Sequence, residues 1–176
     1  MRSILVLTAL LALPMVAHAE SPEAPEEDEL VIEGISLSRD IPCDGQSVGI
    51  YGAGNRINLT GDCGTVIVHG STHEVRVEQA KEIMISGADH TVFADATSSL
   101  FVETTGHVVT ANMVADGGSA HVHVNGAEQT LNLRLSSQTD ISIEGTEQVV
   151  NYELTEGAPE PKINVGGIDN TVNRIQ

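Results

Sequence analysis

The sequence is poor in aromatic and basic residues. It contains no tryptophan, and phenylalanine and tyrosine together make up 2% of its 176 residues. Sugars and nucleobases usually stack on aromatic side chains, so this composition argues against such a binding platform. Lysine and arginine number 8 against 25 aspartates and glutamates, which gives a formal net charge of −17 at pH 7. Nucleic acids and anionic membrane surfaces bind basic patches, so the charge argues against both as direct partners.

No apolar run is long enough to cross a bilayer. The longest one follows Arg2 and ends in Ala17-His18-Ala19, the small-x-small pattern of a signal-peptidase site. We therefore expect residues 1–19 to be a signal peptide and the protein to be periplasmic or secreted, with no transmembrane segment. Residues 20–30 are rich in glutamate and include two prolines, which is typical of a disordered acidic tether.

Cysteine occurs only at positions 43 and 63. An even number of cysteines in an exported chain favours a disulfide between Cys43 and Cys63. Their separation is close to the length of the repeat described next, so stacked repeats would bring them side by side. A metal ion held by these two cysteines alone is the weaker alternative.

An eight-residue pattern occurs seven times and organises the rest of the sequence. Each copy has apolar residues at positions one and eight, glycine at position three, and asparagine, histidine or glutamine at position six; Thr104 alone replaces the glycine. The copies are Ile50–Ile57, Val68–Val75, Ile85–Val92, Val102–Val109, Val124–Leu131, Ile143–Val150 and Val165–Val172. A repeat of about twenty residues is typical of solenoid proteins.

Apolar and polar residues alternate on both sides of each glycine, which is the period of half-buried β-strands. The glycine permits a tight corner between two strands, and stacked turns pair each strand in parallel with its counterparts. The sequence therefore predicts an all-β domain over residues 31–176, a single-stranded parallel β-solenoid (β-helix) of about seven turns. Its handedness is left open, and residues 31–46 are predicted to cap its N-terminal end.

Three segments carry a resemblance to a known family. Cys43–Gly45, the GxxNxIxL run Gly52–Leu59, and Gly61–Gly64 followed by a second repeat resemble the bacterial "domain of unknown function 3060" family. The resemblance is strongest over residues 41–95 and weakens beyond, where glutamine replaces asparagine at position six. It implies an exported protein rich in such repeats and implies no activity.

Position six of the repeat is expected to form a ladder whose side chains bond to the backbone of the corners. Its asparagines and glutamines are Asn55, Gln129, Gln148 and Asn170. His73, His90 and His107 occupy three consecutive turns and allow two interpretations, the same backbone bonding or a shared copper or zinc ion. Backbone bonding is favoured, because no carboxylate or cysteine completes a recognisable set of ligands.

Ile67, Met84 and Phe101 occupy equivalent outward positions on consecutive turns and are predicted to form an apolar stripe. Such a stripe either binds a partner or is covered by the segment Leu30–Leu37 of the same chain. No nucleophile elbow or comparable catalytic motif is present, and we expect neither enzymatic activity nor a cofactor.

These features favour an exported, non-catalytic scaffold or binding module for an envelope or extracellular protein or glycan. A metal-binding protein that uses the histidine row is the alternative, and a carbohydrate-active β-helix enzyme is a more remote one. Arg174 falls at an inward position that earlier turns fill with apolar residues. An inward charge opposes edge-to-edge pairing of sheets, so we expect a monomer.

Overall fold

The computed structural model describes residues 29–115 and 117–175. The predicted signal peptide at 1–19 and nearly all of the acidic tether at 20–30 lie outside these residues. The described residues form thirteen β-strands and no helix, so they include no helix that is long and apolar enough to cross a membrane.

The strands follow one another with short connections. They are β1 (Leu30–Ile35), β2 (Ser38–Asp44), β3 (Val48–Ala53), β4 (Arg56–Ser71), β5 (Glu74–Ala88), β6 (Thr91–Thr105), β7 (Val108–Met113), β8 (Ala120–Ala127), β9 (Thr130–Leu135), β10 (Thr139–Thr146), β11 (Val149–Leu154), β12 (Lys162–Val165) and β13 (Thr171–Arg174).

Each turn of the chain contributes to two faces that meet at the glycine corner. The upstream face, before the corner, contains β1, β3, the C-terminal parts of β4, β5 and β6, and then β8, β10 and β12. The downstream face, after the corner, contains β2, the N-terminal parts of β4, β5 and β6, and then β7, β9, β11 and β13. Every strand pair is parallel, which confirms the predicted β-solenoid.

The solenoid has about eight turns, one more than the repeat predicted. The additional turn precedes the first repeat, because β1 pairs with β3 and β2 pairs with β4. Its sequence is degenerate: Leu37 stands at the ladder position, and Arg39 is aligned with the inward Ile57 of the next turn. The segment predicted as a cap is thus itself a turn, and it lies within the two faces instead of covering the outer stripe.

Aliphatic side chains fill the space between the two faces. Val68, Val75, Ile85 and Val102, all expected in the core, are at most 1% exposed. Each such side chain stabilises the fold by roughly 1.5–3 kcal/mol through removal of apolar surface from water. The core opens at the last turn, where the side chains of β12 are exposed.

Cys43 and Cys63 form the predicted disulfide, with their Cα atoms 4.9 Å apart. The bond joins the degenerate first turn to the second turn, and both cysteines are buried. Closing a loop of this length contributes about 3 kcal/mol. The disulfide therefore holds the turn whose own sequence pattern is weakest.

Candidate functional site: the corner ladder and the outer stripe

Close approach of neighbouring turns requires glycine at the corner. The backbone of Gly70 has a φ of 129°, and a Cβ atom there would lie 2.1 Å from the carbonyl oxygen of Gly52 in the preceding turn. Thr104 is the exception, with a φ of 77°. Regular pairing of β5 with β6 is interrupted at this corner, and the N–H of Gly87 donates to the Thr104 hydroxyl at 2.8 Å instead.

A second left-handed residue lies at position five of each corner, which sequence reasoning missed. Its φ is 58° at Asp89 and 55° at both Glu128 and Glu147. The available signal was glycine at the same position in two other turns, at Gly54 and Gly106. This conformation turns the position-five side chain outward and the position-six side chain inward.

The position-six side chains form one column inside the corners. Asn55, His73, His90, His107, Gln129 and Gln148 are at most 1% exposed, while Asn170 is partly buried. Their side chains bond to the backbone of the neighbouring turn, because position six is repeated in register. Six ladder side chains accept a hydrogen bond from the backbone N–H at the same position of the preceding turn. The donor–acceptor pairs are Leu37–Asn55, Asn55–His73, His73–His90, His90–His107, Gln129–Gln148 and Gln148–Asn170.

The three histidines use both ring nitrogens for this bonding. In His90, Nδ1 accepts from the His73 N–H at 3.0 Å, and Nε2 lies 3.0 Å from the carbonyl oxygen of Ser86. A nitrogen facing a carbonyl must carry the proton, so the ring is the neutral Nε2–H tautomer. The pKa of His90 is lowered from 6.5 to about 4, mainly by burial and to a smaller extent by the neighbouring histidines.

The same geometry bears on the metal hypothesis for His73, His90 and His107. Adjacent rings are parallel with centroids 4.9 and 5.0 Å apart, so equivalent nitrogens point in the same direction and do not converge. Within residues 29–115 and 117–175, no three side chains of histidine, cysteine, aspartate or glutamate are arranged to hold a metal ion. The structure thus offers no support for copper or zinc in this row.

The ladder is irregular where glutamine replaces histidine. Gln129 Oε1 and Gln148 Nε2 are buried and lack a hydrogen-bond partner among the described atoms. Gln129 still donates through Nε2 to the carbonyl oxygens of Thr104 and Asn125, both at 3.1 Å. The ladder side chains of histidine and asparagine have no such unpaired atom, so the irregularity is confined to the two glutamines.

The apolar stripe lies on the outer surface of the upstream face. Register places Ile67, Met84 and Phe101 side by side on adjacent strands. Met84 is 41% exposed, and the other two are half-buried. Since adjacent strands are about 4.8 Å apart, the stripe is about 10 Å long. Towards the first turn, the ring of Tyr51 packs over Gly49 and extends the same surface.

A groove of about 460 Å³ opens beyond Phe101, and sequence reasoning missed it. The outward residues in register after Phe101 are His123, Ser142 and Asn164. Their side chains are all smaller than that of Phe101, and the space this difference leaves forms the groove. On its far edge the Asp140 carboxylate lies 3.5 Å from Lys162 Nζ. The decrease in side-chain size along one outward row was the signal available in the sequence.

Charge is distributed differently on the two faces. On the downstream face three arginines pair with acids, in Arg56–Glu74, Arg76–Asp95 and Arg134–Glu153. On the upstream face the outward acids Glu33, Glu82, Glu103 and Glu144 form no ion pair with any described residue. Glu82 is two residues from Met84, and Glu103 is two residues from Phe101, so uncompensated negative charge flanks the stripe.

Residues 50–107 match the model of a family described as "Protein of unknown function (DUF3060)". This confirms the resemblance, although the matched segment extends beyond residue 95 and begins after Cys43. The match covers the first three copies of the repeat, most of the fourth, and all three ladder histidines. No curated protein and no solved structure matches the chain.

Proposed function

We propose that this protein is an exported, non-catalytic binding module that presents the outer surface of its upstream face to a partner. The apolar stripe Ile67–Met84–Phe101 is the observation that carries the proposal. Exposed apolar side chains in register over several strands are characteristic of interaction surfaces, and the adjoining groove adds a concave region. The ring nitrogens of the histidine row are all hydrogen-bonded to the backbone, so the stripe is the stronger candidate site.

Export is supported by the predicted leader at residues 1–19 and by the disulfide. Disulfides persist in the periplasm and outside the cell, whereas cytosolic thiols are kept reduced. The partner is accordingly expected in the envelope or outside the cell.

Site-specific photo-crosslinking in the native host tests this function. A photoreactive residue is placed at Met84 or, as a matched control, at Phe93, whose 39% exposure on the downstream face is close to that of Met84. We expect a discrete adduct with a second molecule at position 84 and none at position 93. Absence of an adduct at position 84, or the same adducts at both positions, would contradict the proposal.

A further inference from the structure

The charges around the stripe point to the chemistry of its partner. We propose that the stripe binds a basic amphipathic polypeptide segment, whose apolar side chains cover Ile67, Met84 and Phe101 while its lysines or arginines meet Glu82 and Glu103. This inference rests on the proposed function, since it names the partner class for the same surface.

The apolar part of the surface sets the first requirement. Met84 projects from the sheet, and Ile67 and Phe101 flank it on the adjacent strands. An amphipathic segment presents apolar side chains at a spacing suited to a stripe about 10 Å long, because residues three or four apart in a helix share a face. A purely polar partner would leave these side chains exposed to water.

The unpaired carboxylates set the second requirement. Glu82 and Glu103 lie on opposite sides of the stripe, diagonally placed on neighbouring strands, and no described residue forms an ion pair with either. The negative potential of these carboxylates attracts a basic segment. It repels an acidic partner, an anionic lipid surface or a second copy of this chain. The downstream face lacks this combination, because its exposed Phe93 is in register with Arg76, which pairs with Asp95.

A synthetic amphipathic helix of leucine and lysine serves as the probe, and the same helix with glutamate in place of lysine is its charge control. Binding to the purified chain is measured by fluorescence anisotropy at low and at physiological salt. We expect the lysine helix to bind, with an affinity that falls as salt rises, and the glutamate helix not to bind.

Four variants locate the binding. Phe101→Ser and the double variant Glu82→Gln/Glu103→Gln are each expected to weaken binding about tenfold or more. Phe93→Ser removes an equally large side chain from the downstream face, and Glu128→Gln/Glu147→Gln removes two charges from the corners; both are expected to bind like the wild type. Circular dichroism and thermal unfolding establish that all four variants are folded.

The proposal is overturned if the lysine helix does not bind, or if the corner variant loses as much affinity as Glu82→Gln/Glu103→Gln. Binding to neutral lipid vesicles that depends on Phe101, without peptide binding, would overturn it in favour of a lipid partner. An adduct at position 84 together with a failed peptide titration would reject the basic partner while leaving the binding module intact. Failure of both experiments would reject the binding module itself.

Discussion

The corner at Gly70 has no room for a Cβ atom. A side chain at Gly70 would combine a left-handed backbone with a Cβ atom 2.1 Å from a carbonyl oxygen of the preceding turn. We expect Gly70→Ala to destabilise the protein by about 2–4 kcal/mol through strain and forced separation of turns. Chemical denaturation measures this loss.

Gly157→Ala is the matched control for that substitution. Gly157 has a φ of 81°, and a Cβ atom there has no neighbour within 4 Å. Its cost is therefore limited to the backbone conformation, about 1 kcal/mol. If the two variants lose the same free energy of unfolding, the close approach of turns at Gly70 does not contribute to the cost.

The ladder histidines make stability depend on pH. Folded His90, whose pKa is lowered to about 4, stays neutral where the unfolded chain, with a pKa near 6.5, binds a proton. Its contribution is complete above pH 6.5 and is lost as pH falls from 6.5 towards 4. At pH 5 the expected loss from His90 is about 2 kcal/mol relative to pH 7.5. Urea unfolding at the two pH values tests this.

His90→Gln isolates the contribution of this one histidine to the pH dependence of stability. Gln129 and Gln148 already occupy the same position in other turns, so the variant is expected to fold and to lose part of the pH dependence. An unaltered pH profile in His90→Gln would contradict the assigned role.

The repeating structural element of this protein is the solenoid turn, and the burial of its inward side chains varies along the solenoid. Ile85 in β5 is 1% exposed, whereas Ile163 in β12 is 37% exposed. We expect Ile85→Ala to cost about 2–5 kcal/mol because it leaves a cavity in a closed core. Ile163→Ala is expected to cost about 1 kcal/mol or less, since its side chain already meets water. Thermal unfolding of both variants measures this gradient.

Periodicity predicted most of these turns because the same constraint acts at each corner. Glycine, the ladder residue and the inward aliphatic rows recur wherever turns must approach closely, so seven turns and their register were readable. The first turn escaped because Leu37 and Arg39 replace two of the three signals. Its pairing depends on Ile32 in the core and on the disulfide instead.

The sequence predicted the surface features only in part, for a different reason. The stripe follows from one outward row, which periodicity defines. The groove and the unpaired acids depend on neighbouring rows and on where arginines find partners, as with Arg76 and Asp95. Arg76 is in register with Phe93 and reaches Asp95 in a neighbouring row, and a single-row pattern does not contain such a diagonal pairing.

At the scale of the whole molecule, the solenoid must avoid stacking end to end. Arg174 is aligned with Tyr152, in an inward row, and its guanidinium pairs with Glu160 of the preceding connection. The structure adds a counterpart at the other end, because Arg39 is aligned with the inward Ile57. In a head-to-tail stack that continues the register, Arg39 of one copy would meet Val172 of the other, and Arg174 would meet Ile41. Burying two arginines of like charge in one apolar opening is strongly unfavourable, so we expect a monomer.

Replacing both arginines is therefore expected to expose compatible ends. Arg39→Val/Arg174→Val should associate in a concentration-dependent way in sedimentation velocity, more strongly at high salt, which screens repulsion between the acidic chains. Each single variant retains one inward charge and is expected to associate less. Arg134→Val removes the same charge from the side of the downstream face and is expected to stay monomeric. A stable wild-type dimer would contradict the role of the two arginines, and crosslinks from Met84 would then show whether the stripe or the exposed last turn forms its interface.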